Sequence, residues 1–111
     1  MADLPNAEEA YKCITYLAKT DVLMAQQITR VTKCEDMKHH ILAMEKLVSL
    51  EKSDAAKTTE AQASQAYLAW VNDHAEAVEE REITRLHRMS AEKKFEFWRS
   101  LNSARKSGQI V

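Results

Sequence analysis

The sequence predicts an all-α chain. Two long helical arms fold back on each other as an antiparallel, coiled-coil-like hairpin, with a kink near residue 20, and the hairpin pairs with a second copy into a bundle. Three observations carry this expectation. Among 111 residues there is one Gly, Gly108, and one Pro, Pro5, both near the ends. Sheets and barrels need turns that favour these residues. The chain between them is rich in Ala, Glu, Lys, Gln and Leu, which lose little on entering a helix. Of the hydrophobic residues (45%), 16 are Ala and 2 are Cys, leaving 32 large apolar side chains. That number suits slender helix-on-helix seams better than a thick interior, in a chain long enough for one core.

The elements follow in order along a single domain, 1–111. Asn6 with Glu9, just after Pro5, reads as a capping box that opens the first arm, about residues 6–51. Ala7, Ala10, Ile14 and Leu17 then recur at helical spacing. Thr20-Asp21 interrupts the stripe and marks a kink or a new cap. Met24, Ile28, Val31, Cys34, Met37, Ile41, Met44 and Val48 resume it, with irregular steps that predict a shifted seam near Val31–Met37. Ser49, Ser53, Asp54, Thr58 and Thr59 are cap and turn formers, so residues 52–58 read as the turn. Thr59 with Gln62 makes a second capping box. The second arm then runs from about 59 to 106, where Ser107-Gly108 stops it. As one helix it would be about 72 Å long. Neither arm can bury both of its faces within one hairpin, which is the reason to expect a dimer. A compact four-helix monomer, broken at Thr20-Asp21 and Asn72-Asp73, is the competing arrangement.

Charge is unevenly distributed. The net charge is −1, but residues 1–52 carry −1, residues 53–80 carry −5 and residues 81–111 carry +5. Either the acidic segment faces a basic one, within the hairpin or across a dimer, or the basic end meets an anionic partner. The start, "MADLPNAEEAYK", lacks a basic region followed by an apolar run, so no signal peptide is expected. The uncharged run Ala61–Asn72 is too short to span a bilayer. Cys13 and Cys34 lie within helical patterns and read as reduced thiols.

Motifs for chemistry are sparse. Cys34, His39 and His40 lack the paired, four-ligand spacing of a zinc site, and a helix turns the two His about 100° apart. His74-Ala75-Glu76 has only half of the deaminase signature. Asp73, Glu76, Glu79, Glu80 and Glu82 include pairs on one helix face that could hold magnesium. A second acidic pair on a facing helix is missing, so a solvated face is the simpler reading. No nucleophile elbow or phosphate loop is present. The expectation is a non-enzyme without a cofactor or metal.

The last helix, "AEKKFEFWRSLNSARKSGQIV", is the informative stretch. On a wheel of 100° steps, Ile83, Leu86, Ser90, Phe97, Leu101 and Ala104 share one face, read as core. Arg81, Arg88, Arg99 and Lys106 lie opposite, with Phe95 among them and Trp98, Asn102 and Arg105 at the border. Aromatics framed by Arg and Lys grip single strands or protein partners. Arg88, Phe95, Trp98, Arg99, Asn102, Arg105 and Lys106 are therefore the expected contact residues for nucleic acid or a partner.

Three stretches together, "YLAKTDVLMAQ", "EAQASQAYLAW" and "AEKKFEFWRSLNSARKSGQI", resemble a family of small helical proteins of tailed bacteriophages and prophages. Its members carry Leu-Ala-x-Thr-Asp, Ala-x-x-Ser-x-x-Tyr and a terminal Trp-Arg-Ser-x-Asn-Ala-x-Arg-Arg element. Trp98, Arg99, Ser100 and Asn102 match the last element. Ser103-Ala104-Arg105-Lys106 depart from it and keep its basic end approximately. The resemblance implies a phage early protein of the host cytoplasm, from a region of recombination or replication genes, with no activity attached. Two functions from different classes follow as expectations. One is a module assisting phage DNA recombination or replication through single-stranded nucleic acid or a DNA-processing protein. The other is an adaptor or inhibitor that docks on a host enzyme through a helix face. A magnesium-dependent nucleotide hydrolase using Glu76 and Glu79 is the weakest alternative.

Overall fold

The computed structural model describes residues 4–108. They form three helices, α1 (Ala7–Leu47), α2 (Asp54–Gln62) and α3 (Gln65–Lys106), with no strand among the described residues. The chain divides into two compact units, residues 1–25 with 82–111, and residues 26–81.

In the first unit α1 opens at the expected cap. Asn6 Oδ1 accepts the Glu9 N–H at 2.9 Å, and the Asn6 carbonyl accepts the Ala10 N–H at 2.9 Å. The first bond satisfies a donor that a helix start otherwise leaves unpaired, and the second is the first turn's backbone bond. Ala10, Cys13, Leu17, Thr20 and Met24 are the shielded residues of α1 at seam spacing, and Thr84, Arg88, Ala91, Phe95, Trp98 and Asn102 are those of α3. Both sets alternate steps of three and four, the spacing of a coiled-coil seam. The two helices of the seam run antiparallel: Arg88 reaches Leu17, Thr20 and Asp21, while Ala91, one turn later on α3, borders a groove with Cys13, one turn earlier on α1. At the far end Gly108 adopts φ +76° and its N–H bonds the Arg105 carbonyl at 3.1 Å. That left-handed conformation costs glycine little, so the stop falls where Ser107-Gly108 predicted it.

The helix does not break or restart at Thr20-Asp21, since α1 runs through it as one helix. Thr20 Oγ1 donates to the Tyr16 carbonyl at 2.8 Å. Its hydroxyl is satisfied inside the helix and has no new start to cap.

In the second unit the seam consists of Gln27, Val31, Cys34, Lys38, Ile41 and Glu45 on α1 and Tyr67, Trp70, His74 and Ala77 on α3. Val31, Cys34 and Ala77 form a small buried cluster with Val78 packed against it. The steps alternate three and four, so the seam shift expected near Val31–Met37 is absent. Ile28, Met37, Met44 and Val48, assigned to the stripe by their hydrophobicity, are exposed instead. α3 is also unbroken at Asn72-Asp73, so neither break of the four-helix alternative is present.

The second arm is two helices rather than one, and the first ends at Leu47 instead of about 51. α2 starts at Ser53, whose Oγ accepts the Ala56 N–H at 3.0 Å. Thr59, the expected cap, lies within α2 and donates its hydroxyl to the Ala55 carbonyl at 3.0 Å. The interruption falls at Ala63-Ser64. Ser64 Oγ donates to the Ala61 carbonyl at 2.6 Å and accepts the Tyr67 N–H at 3.1 Å, closing α2 and opening α3 with one hydroxyl. Lys46 pairs with Asp54 at 2.7 Å, and Ser49 donates to Glu60 at 2.6 Å, tying the linker to both flanking helices.

Candidate binding surface at the carboxyl-terminal end of α3

The structure redistributes the expected contact residues. Arg88 is not part of an outer face. Its Nη1 donates to the Leu17 carbonyl at 2.8 Å and to Thr20 Oγ1 at 2.7 Å, and its Nη2 donates to Asp21 Oδ1 at 2.7 Å. Only 17% of the side chain is exposed, so the guanidinium is committed within the fold.

Phe95 and Trp98 are half-buried on the seam, with ring centroids 6.0 Å apart and planes at 30°. The antiparallel register carries them to the level of Ala10, which is 2% exposed. Phe97, expected in the core, is 48% exposed, and Ile83 and Leu86 of the same face are exposed as well. The wheel had followed the apolar majority. The hairpin closes one step away, where Arg88 can bond α1 and the small Ala91 permits close approach. An apolar stripe then remains outside because a two-helix seam covers only one narrow face of each helix.

The exposed aromatic in a basic frame is therefore Phe97. Lys93 and Lys94 precede it by four and three residues, so all three share one side of the helix. Arg99, Arg105 and Lys106 are exposed, and Asn102 is half-buried. Arg99, Asn102 and Lys106, with Ser100, Ser103 and Ser107, line a polar concavity of about 770 Å³. Among the described residues, Lys93, Lys94, Arg99, Arg105 and Lys106 take part in no ion pair. A separate groove of about 320 Å³ lies between α1 and α3, bordered by the half-buried Cys13, Tyr16 and Ala91 and by Lys12, Lys94, Glu9 and Ser90.

The acidic segment meets different conditions. In the second unit Arg30 donates to Asp73 Oδ1 at 3.0 Å and to Glu80 Oε2 at 2.6 Å. Cys34 Sγ donates to Asp73 Oδ2 at 3.4 Å, and Trp70 Nε1 donates to the Cys34 carbonyl at 2.6 Å. Trp70 stacks between Tyr67 and His74, with the Lys38 ammonium 5.8 Å from its ring centroid. The Arg30 hydrogen bond, followed by that of Cys34, holds the Asp73 carboxyl below its usual range. Burial, followed by the Asp73 hydrogen bond, pushes the Cys34 thiol up. His74 Nε2 has no hydrogen-bond partner among the described residues. Glu35 Oε1, at 3.8 Å, is too far to serve.

Cys34 and Asp73, which the sequence offers only as separate candidates, are joined by a direct hydrogen bond, and Arg30 bonds the same carboxylate. The pairing is long-range, and a lone Arg in a helix carries no signal of its partners. Arg30 thus meets two carboxylates of the cluster, Asp73 and Glu80. No group of three His, Cys, Asp or Glu suited to a metal occurs among the described residues. Among the described residues no helix is long and apolar enough to cross a membrane. No protein-family model matches the chain, and no curated protein or solved structure is significantly similar to it.

Proposed function

We propose that this chain is a non-enzymatic helical binding module of a bacteriophage. In this reading it assists phage DNA recombination or replication in the host cytoplasm by gripping single-stranded nucleic acid through the carboxyl-terminal part of α3. One observation carries the reading: Phe97 stands exposed one turn after Lys93 and Lys94 while Arg99, Arg105 and Lys106 have no acidic partner among the described residues. Single strands are held by this combination, an aromatic face for a base and cations along the backbone. The acidic segment adds support by contrast, because Arg30 and Lys46 already meet its Asp73, Glu80 and Asp54.

Fluorescence anisotropy with an end-labelled single-stranded oligodeoxynucleotide tests it. Affinity should fall with salt, with a log–log slope of about −0.7 per neutralised phosphate. Phe97→Ala should weaken binding about fivefold or more, the worth of one stacked base. Absence of binding at low salt and micromolar protein sinks the proposal.

A second reading, an adaptor or inhibitor docking on a host enzyme, is favoured by a different feature. Tyr11, Ile14, Ala18 and Val22 recur at steps of three, four and four on α1, and all are exposed. Helix-in-groove recognition uses apolar anchors at such spacings. The stripe would equally serve a second copy. Homodimerisation through that stripe forms part of the proposal. Light scattering that gives a monomer mass across micromolar concentrations removes this part and leaves the strand-binding reading intact.

A further inference from the structure

The groove between α1 and α3 has the features of a ligand site, and its charged side chains are little used by the fold. Its volume of about 320 Å³ lies at the lower end for small-molecule sites. Half-buried Cys13, Tyr16 and Ala91 offer an apolar wall. Lys12 and Lys94 supply two ammonium groups from opposite helices, and Glu9 supplies one carboxylate. The one competing contact among these is Lys12 with Glu8 at 3.6 Å, an exposed i,i+4 pair. Such pairs contribute little and release their lysine readily.

A matching ligand needs a flat apolar body, an anion that two lysines can share, and a donor for the carboxylate. A nucleotide whose base carries an exocyclic amine satisfies all three. We propose that this groove is a base-binding subsite of the strand-binding surface. One nucleobase lies against Tyr16, its phosphate sits between Lys12 and Lys94, and Glu9 accepts from the exocyclic amine. Glutamate accepts from cytosine N4 in the same way in base readout. The groove and the stacking residue are adjacent on α3: Lys94 lines the first and lies one turn before Phe97. The inference rests on the strand-binding reading, and it adds a preference for amino-bearing bases over thymine.

The experiment measures anisotropy of labelled oligodeoxycytidylate and oligodeoxythymidylate with the full chain and three variants. Ser90→Trp fills the groove from an exposed position. Lys12→Gln removes one cation that belongs to the groove and not to the α3 surface, and Glu9→Gln keeps the length at the helix start while removing the charge. The wild type should bind oligodeoxycytidylate more tightly, Ser90→Trp should weaken it about tenfold, and Glu9→Gln should abolish the preference. Circular dichroism checks that helicity is retained. If Ser90→Trp alters it, Lys12→Gln decides, with an expected loss of affinity and a shallower salt slope. Wild-type affinity in both Ser90→Trp and Lys12→Gln, with salt-dependent binding intact, overturns the subsite and leaves the surface reading standing. Equal affinity of the wild type for the two oligonucleotides overturns the role of Glu9. No binding by the wild type overturns the subsite and the surface reading together.

Discussion

Replacing Arg88 by Met should destabilise the fold by about 3 kcal/mol. The aliphatic stem is kept, so the change isolates the guanidinium. Three hydrogen bonds are lost, to the Leu17 carbonyl, to Thr20 Oγ1 and to Asp21. Bonds from a charged donor contribute about 1.5–3 kcal/mol each, and the partial exposure of Arg88 argues for the lower end. The carbonyl and hydroxyl bonds then account for about 3 kcal/mol. The Asp21 bond adds under about 1 kcal/mol, because its carboxylate is largely exposed. No orphaned donor enlarges the loss, since Thr20 Oγ1 still donates to Tyr16. Against a total stability of about 5–15 kcal/mol this is a large fraction. Urea unfolding followed by circular dichroism measures it, with Asp21→Asn as the control that removes only the exposed contact. A cost below about 1 kcal/mol for Arg88→Met, or an equal cost for both variants, would refute the assignment of Arg88 to the seam.

Three further outcomes are expected. Phe97→Ala should leave the urea midpoint nearly unchanged, whereas Trp98→Ala should cost about 2 kcal/mol, roughly half the value of a fully buried aromatic; the reverse order restores Phe97 to the core. Asp73 titrates with a depressed pKa in the fold, so its contribution is present above the unfolded value of about 3.9 and is lost as pH falls through the lower folded value; acid unfolding of Asp73→Asn should therefore be less steep, and identical acid limbs would exclude the Arg30–Asp73 pair as a source. Cys13 is half-buried while Cys34 is buried and its thiol is raised. Iodoacetamide should label Cys13 first and Cys34 only on unfolding, as peptide mass spectrometry can show, and simultaneous labelling would contradict the burial of Cys34.

The candidate site was legible as a segment and misread as a face. The excess of Lys and Arg after residue 81 and the aromatic cluster at 95–98 are visible in the linear chain. Which aromatic faces outward is not, because Phe95 and Phe97 differ by two residues, about 200° on a helix. The choice depends on which neighbours the opposite helix supplies. Thr20, Gln27, Lys38, His74, Thr84, Arg88 and Asn102 all occupy seam positions, and hydrophobicity alone excludes each of them. Arg88 belongs there because α1 presents a carbonyl, a hydroxyl and a carboxylate together at Leu17, Thr20 and Asp21, a match between positions 67 to 71 residues apart.

Local chemistry decided what the chain could settle by itself. Helix throughout its length follows from propensity and the lack of breakers, the start follows from Asn6, and the end from Gly108. Each depends on contacts within a few residues. The interruption at Ala63-Ser64 is also local, yet it rests on a single hydroxyl amid strong helix formers, too faint a signal to outrank Thr59. The seam, the burial of Trp98 and the exposure of Phe97 belong to tertiary structure. They require two helices to be set in register, and that register is chosen by long-range bonds that no periodicity records.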